Sequence, residues 1–147
     1  MTNKVPSKRG VRFILAEDVR QEDGGKFSLL GVFPGEKIFV GGTPVPGMPP
    51  NVAFVLASLA FVFIVTEGDG RFDGRFIVTA PDGKTAVSNT TFSDIEIHGQ
   101  IGTLGSAAKP FIGPSFGTYT VQLEIGSAKF KFRFDVLKAP VSRKKRP

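Results

Sequence analysis

The last third of the chain carries a pattern that a β-sheet satisfies and a helix does not. In GTYTVQLEIGSAKFKFRFDVL, Tyr119, Val121, Leu123 and Ile125 alternate with Thr120, Gln122 and Glu124. After Gly126-Ser127 the alternation resumes, with Phe130, Phe132, Phe134 and Val136 set against Lys129, Lys131 and Arg133. Successive side chains of a strand point to opposite faces, so a period of two predicts a hairpin with one face in a core and the other in water.

The rest of the chain reads in the same grammar. Val11, Phe13 and Leu15 alternate with Arg12, Ile14 and Ala16; Asp23-Gly24-Gly25 supplies a turn, and KFSLLGVF returns with Phe27, Leu29 and Phe33 on one face. EKIFVGG is a short strand, and TPVPGMPPN, poor in ladder donors, suits a crossing from one sheet to another. Ala53 to Thr66 forms one bent strand or two. GDGRFDG then reads as a turn into RFIVTA, Pro81-Asp82-Gly83 as another, Phe92, Ile95 and Ile97 as a strand, and Gly99 to Gly117 as a loop rich in Gly, Pro and Ser. The sum is eight to ten strands with no helix and no repeat. It predicts an all-β, antiparallel two-sheet β-sandwich, immunoglobulin-like or C2-like, as a single domain over 11–138, between a flexible basic segment at 1–10 and a basic tail at 139–147.

Composition sets limits on chemistry. The 147 residues are enough to bury roughly 70% of the unfolded surface without staples. The absence of Cys removes disulfides, thiolate zinc sites and iron–sulfur clusters. The net charge of +6 is concentrated at the ends, in Lys4, Lys8, Arg9 and Arg12 and in Arg143, Lys144, Lys145 and Arg146. Such ends act as solvated, solubilising tails, or else as contacts for a polyanion such as nucleic acid. Val52 to Val65 is apolar but only 14 residues long, short of the about 20 a spanning helix takes, and reads as buried strand, with no membrane span. The apolar run Phe13–Ala16 is too short for the roughly 7–15 residues of a secretory core, so a cytoplasmic location is expected.

Three clusters are candidates for function. Glu17, Asp18, Arg20, Glu22, Asp23 and Lys26 crowd the first hairpin end, where they can pair with one another in water or receive a protein partner, since loops at sandwich ends commonly carry function. Lys129, Lys131 and Arg133 form an exposed row that Glu124 partly balances; with Arg143, Lys144, Lys145 and Arg146 it is the candidate polyanion site. In DIEIH, alternation puts Asp94, Glu96 and His98 on one strand face, a spacing that suits metal ligands or a carboxylate pair, although the plainer reading is the polar face of a half-buried strand. Other look-alikes fail. Gly83-Lys84-Thr85 has Val78 where a phosphate loop needs glycine, and Glu67, Asp69 and Asp73 lack calcium-loop spacing.

The stretch AEDVRQEDGGKFSLLGVF resembles the opening of a family of short bacterial proteins with the pattern (A/C)-E-D-(V/I)-R-x-E-x-x-G-K-x-S-L-x-G-V. It is matched here by Glu17, Asp18, Arg20, Glu22, Gly25, Lys26, Ser28, Leu29, Gly31 and Val32. Pro49-Pro50, Pro81-Asp82-Gly83 and Gly117, Tyr119, Val121 and Leu123 continue the likeness over most of the chain except the tails. The resemblance implies a compact β-sandwich and brings no agreed activity with it.

The reading that best unites these features is a non-enzymatic interaction or structural module, an adaptor or a phage or virion subunit, that works without a cofactor by associating with a protein partner or with itself. Polyanion binding through the basic residues is the alternative, marked by affinity that falls steeply with salt. A metal-dependent enzyme built on Asp94, Glu96 and His98 is the third.

Overall fold

A computed structural model describes residues 3–23, 26–41, 47–98 and 102–140. Eleven strands follow one another: β1 (Val11–Gln21), β2 (Phe27–Val32), β3 (Lys37–Val40), β4 (Phe54–Leu56), β5 (Leu59–Val65), β6 (Asp69–Thr79), β7 (Ala86–His98), β8 (Gly102–Ala108), β9 (Phe111–Gly113), β10 (Gly117–Ile125) and β11 (Ala128–Lys138). A 3₁₀ turn, Pro34–Glu36, joins β2 to β3. The strands form a four-stranded sheet in the order β2-β1-β5-β8, a five-stranded sheet in the order β3-β11-β10-β6-β7, and a small β4-β9 ladder. The all-β sandwich predicted from periodicity is thus the fold.

Phenylalanine fills the space between the sheets. Phe13, Phe61 and Phe63 of the four-stranded sheet meet Phe76, Phe132 and Phe134 of the other, with ring centroids 5.4–5.9 Å apart across the layers. Tilted and offset ring contacts of this kind add to the burial of apolar area. The 10–11 hairpin obeys its alternation: Tyr119, Val121, Leu123, Ile125, Phe130, Phe134 and Val136 are buried, Phe132 partly so, and Lys129, Lys131 and Arg133 are exposed.

Four local expectations are corrected. GDGRFDG is not a turn: Asp69 to Thr79 is one strand, in which Gly74 leaves room on the inner side where a Cβ would strike the Glu124 carbonyl. Gly99 to Gly117 is not one loop, because β8 and β9 lie within it, held by ladder bonds to β5 and β4. The sandwich is not wholly antiparallel, since β3 pairs parallel with β11 through Asp135↔Lys37 to Lys138↔Val40. With β8 and β9 the described strands number eleven, against the about eight to ten expected. Segment 3–10 lies against the domain: Lys4 and Asp69 exchange main-chain bonds, the Ser7 amide donates to Glu67, and the Thr66 amide donates to the Gly10 carbonyl.

Candidate interaction surfaces

The first hairpin end forms as expected, with Gln21 opposite Phe27 and the Glu22 amide donating to the Lys26 carbonyl at 2.8 Å; Gly24 and Gly25 of its turn lie outside the described residues. Its charges, however, do not neutralise one another. Asp18 accepts from the Val19 amide at 2.9 Å and faces Lys109 Nζ at 3.3 Å. These contacts, the amide first and the ammonium after it, hold the Asp18 carboxyl below the ordinary carboxylate range. Lys109 comes from the β8–β9 connection, 91 residues away, so no local pattern announces the pair. Glu17, Arg20, Glu22, Asp23 and Lys26 have no ion-pair partner among the described residues.

On the outer face of the β6–β7 pair, Asp94, Glu96 and His98 are exposed and Ile95 and Ile97 buried, as alternation predicts. The cation between the carboxylates is the Arg71 guanidinium, 3.3 Å from Asp94 Oδ2 and 3.6 Å from Glu96 Oε1. His98 Nε2 lies 2.6 Å from Glu96 Oε1. Among the described residues, no three His, Asp or Glu side chains converge as a metal site. A β-bulge opposite Phe72–Gly74 puts Asp94 at φ 56°. There the Asp94 amide donates to Asp73 Oδ1 at 3.2 Å, and a shallow cleft of about 390 Å³ opens between Asp73, Arg75, Phe92 and Glu124. Bulges bend a strand and re-aim its side chains, which explains the turn of β7 here.

Glu124 belongs to Arg75, its cross-strand neighbour, with the Arg75 Nε–H donating to it. It therefore does not balance the basic row as expected. Lys129, Lys131 and Arg133 have no carboxylate within ion-pair distance among the described residues. Their strand is open as well: β3 covers β11 only from Asp135 onward, so among the described residues Ala128 to Phe134 pairs on one side alone. Lys8 joins this edge, and a cleft of about 390 Å³ between Lys8, Lys129, Lys131, Phe130 and Phe132 runs beside it. Arg143, Lys144, Lys145 and Arg146 lie outside the described residues.

Apolar side chains stand in water at specific pairings. Phe39, 60% exposed, is the cross-strand partner of Leu137, and Val55 is that of Ile112. Leu30 and Val32 are exposed on β2, which the 3₁₀ turn joins to β3. No described helix is long and apolar enough to cross a membrane. No protein-family model matches the chain, and no curated protein shows significant similarity to it.

Proposed function

We propose that this chain is a non-enzymatic structural or adaptor module that works by associating with other protein surfaces. The observation that carries this reading is the set of outward-facing apolar pairs, Phe39 with Leu137 and Val55 with Ile112, on the rims of a sandwich whose core is already filled. Apolar side chains paired on an exposed rim gain free energy when a second surface covers them. A second reading, polyanion binding, draws on the unbalanced row Lys129, Lys131 and Arg133 with Lys8 beside it.

One experiment separates them: light scattering of the purified chain over a concentration and salt series, with carried nucleic acid read from the 260/280 nm absorbance ratio. The expected result is an associated species free of nucleic acid. A bare monomer at every concentration overturns the module reading. A monomer that carries nucleic acid at low salt and sheds it at high salt overturns it in favour of the basic row.

A further inference from the structure

The five-stranded sheet ends in two edges of opposite charge. At one, β7 has no strand beyond it among the described residues and presents Asp94 and Glu96, with Asp69 and Asp73 beside them on β6; Arg71 offsets only part of this charge. At the other, the open segment Ala128–Phe134 presents Lys129, Lys131 and Arg133, joined by Lys8. We infer that these two edges pair between copies of this chain, head to tail, with β7 of one copy adding antiparallel to β11 of the next. This rests on the module reading above and names its surface and its partner.

Strand direction favours it. The β11–β10, β10–β6 and β6–β7 pairs are all antiparallel, so β7 runs opposite to β11. A second copy laid beside the first in the same orientation therefore brings β7 and β11 together as an antiparallel pair without any turn.

Side-chain pattern favours it too. Setting Lys129 opposite Glu96 in an antiparallel ladder sets Phe130 opposite Ile95 on the inner face and brings Lys131 to the bulged Asp94 on the outer face. Charge meets opposite charge, and the apolar face continues across the junction. Pairing these segments with their own kind would set like charges together, which is costly. Lysines on an edge deter general strand addition, so the β11 edge accepts an acidic strand and rejects others. β7, by contrast, is a 13-residue edge strand with no Lys and no Pro, interrupted only by the register shifts opposite Phe72–Gly74 and Val78–Thr79.

The same register predicts the form of the assembly. Lys129 lies level with Arg75 through Glu124, whereas Glu96 lies level with Arg71, an offset of about 13 Å along the strands at 3.3 Å per residue. A heterologous contact with an axial offset propagates as an open helical chain instead of closing as a two-fold dimer.

The absence of native Cys makes the test clean. Full-length Glu96→Cys and Lys129→Cys variants, with folding checked by circular dichroism, are oxidised separately and mixed. The expected product is a disulfide-linked heterodimer in the mixture alone. A disulfide dimer of Glu96→Cys by itself means β7–β7 pairing and overturns the inference, as does a mixture that forms none. In light scattering, Glu96→Lys and Lys131→Glu should each weaken association by about tenfold or more. Mixed, they should stop at a one-to-one dimer, because each supplies one intact edge. Association indifferent to both charge reversals overturns the edge pairing and leaves the module reading standing, whereas a bare wild-type monomer overturns both.

Discussion

Tyr119 lies nearly flat on Phe134, with ring centroids 5.2 Å apart and planes 15° from parallel, at the start of the strand that centres the five-stranded sheet. Its hydroxyl donates to the Ser115 carbonyl at 2.5 Å, four residues upstream. This is the geometry of the tyrosine corner that fixes the entry of a strand into many sandwiches. Burial pushes its hydroxyl pKa up, so at ordinary pH it remains the donor that the carbonyl needs. Tyr119→Phe keeps the ring and orphans the Ser115 carbonyl, and is expected to cost about 1–3 kcal/mol in urea unfolding with an unchanged m-value. An unchanged midpoint would mean that the hydroxyl does not hold the corner.

Asp82 contributes to the acid side of stability. Its carboxylate accepts from the Lys84 amide at 2.8 Å, the Thr85 amide at 2.9 Å and the Thr85 hydroxyl at 2.6 Å, closing the β6–β7 turn. These bonds, those from Thr85 foremost, lower its pKa to about 2. A folded pKa below the unfolded value of 3.8 means that its contribution is complete above about pH 4 and is lost as pH falls toward 2. Asp82→Asn should therefore flatten the fall in stability between pH 4 and 2, measured by denaturant midpoints, and should change the slope little near neutrality.

Legibility in the sequence followed exposure. β1, β10 and β11 each have one wet face, so their period of two is printed in the residues, and the core positions Leu15, Val121 and Phe134 follow from it. β8, Gly102–Ala108, is intermediate in burial at every position and, Leu104 aside, made of small residues, so it has no alternation to read; β5 makes it a strand by offering a ladder. In β6 the period was present in Arg71, Asp73 and Arg75 against Phe72 and Phe76, but Gly74 on the inner side disguised it as a turn. The facing of Asp94, Glu96 and His98 was legible. Their counter-ion Arg71, the Lys109 partner of Asp18 and the Arg75 partner of Glu124 were not, because strand pairing and chain reversal over 23 to 91 residues bring them together.

Phe54 and Gly113 are opposite one another in the β4–β9 ladder, and the Phe54 ring occupies the space that a Gly113 side chain would take. The ring also contacts Phe111, Phe116 and Tyr119, tying the small ladder to the main core. Gly113→Ala should displace the ring and cost about 1–3 kcal/mol by overpacking. Phe54→Ala should cost about 3–5 kcal/mol by leaving a cavity. Because the two residues touch, the double variant should cost less than the sum of the singles, and additive losses in urea unfolding would show that the ring does not depend on the missing side chain.

Arg71 decides whether the β6–β7 face has any use for a metal ion. Its guanidinium lies between Asp94 and Glu96, in the position a cation would take, and Glu96 also holds His98. An exposed pair of this kind contributes little to stability, on the order of 0–1 kcal/mol, so Arg71→Gln should fold and melt much as the wild type does. With the positive charge gone, Asp73, Asp94 and Glu96 crowd one face uncompensated, and Zn²⁺ should then raise the melting temperature of Arg71→Gln more than that of the wild type. His98→Ala added to Arg71→Gln should abolish the increment, since imidazole is the one nitrogen ligand there. A wild-type chain that Zn²⁺ stabilises as strongly as it does Arg71→Gln would instead show that Arg71 gives way and that Asp94, Glu96 and His98 are ligands in the native protein.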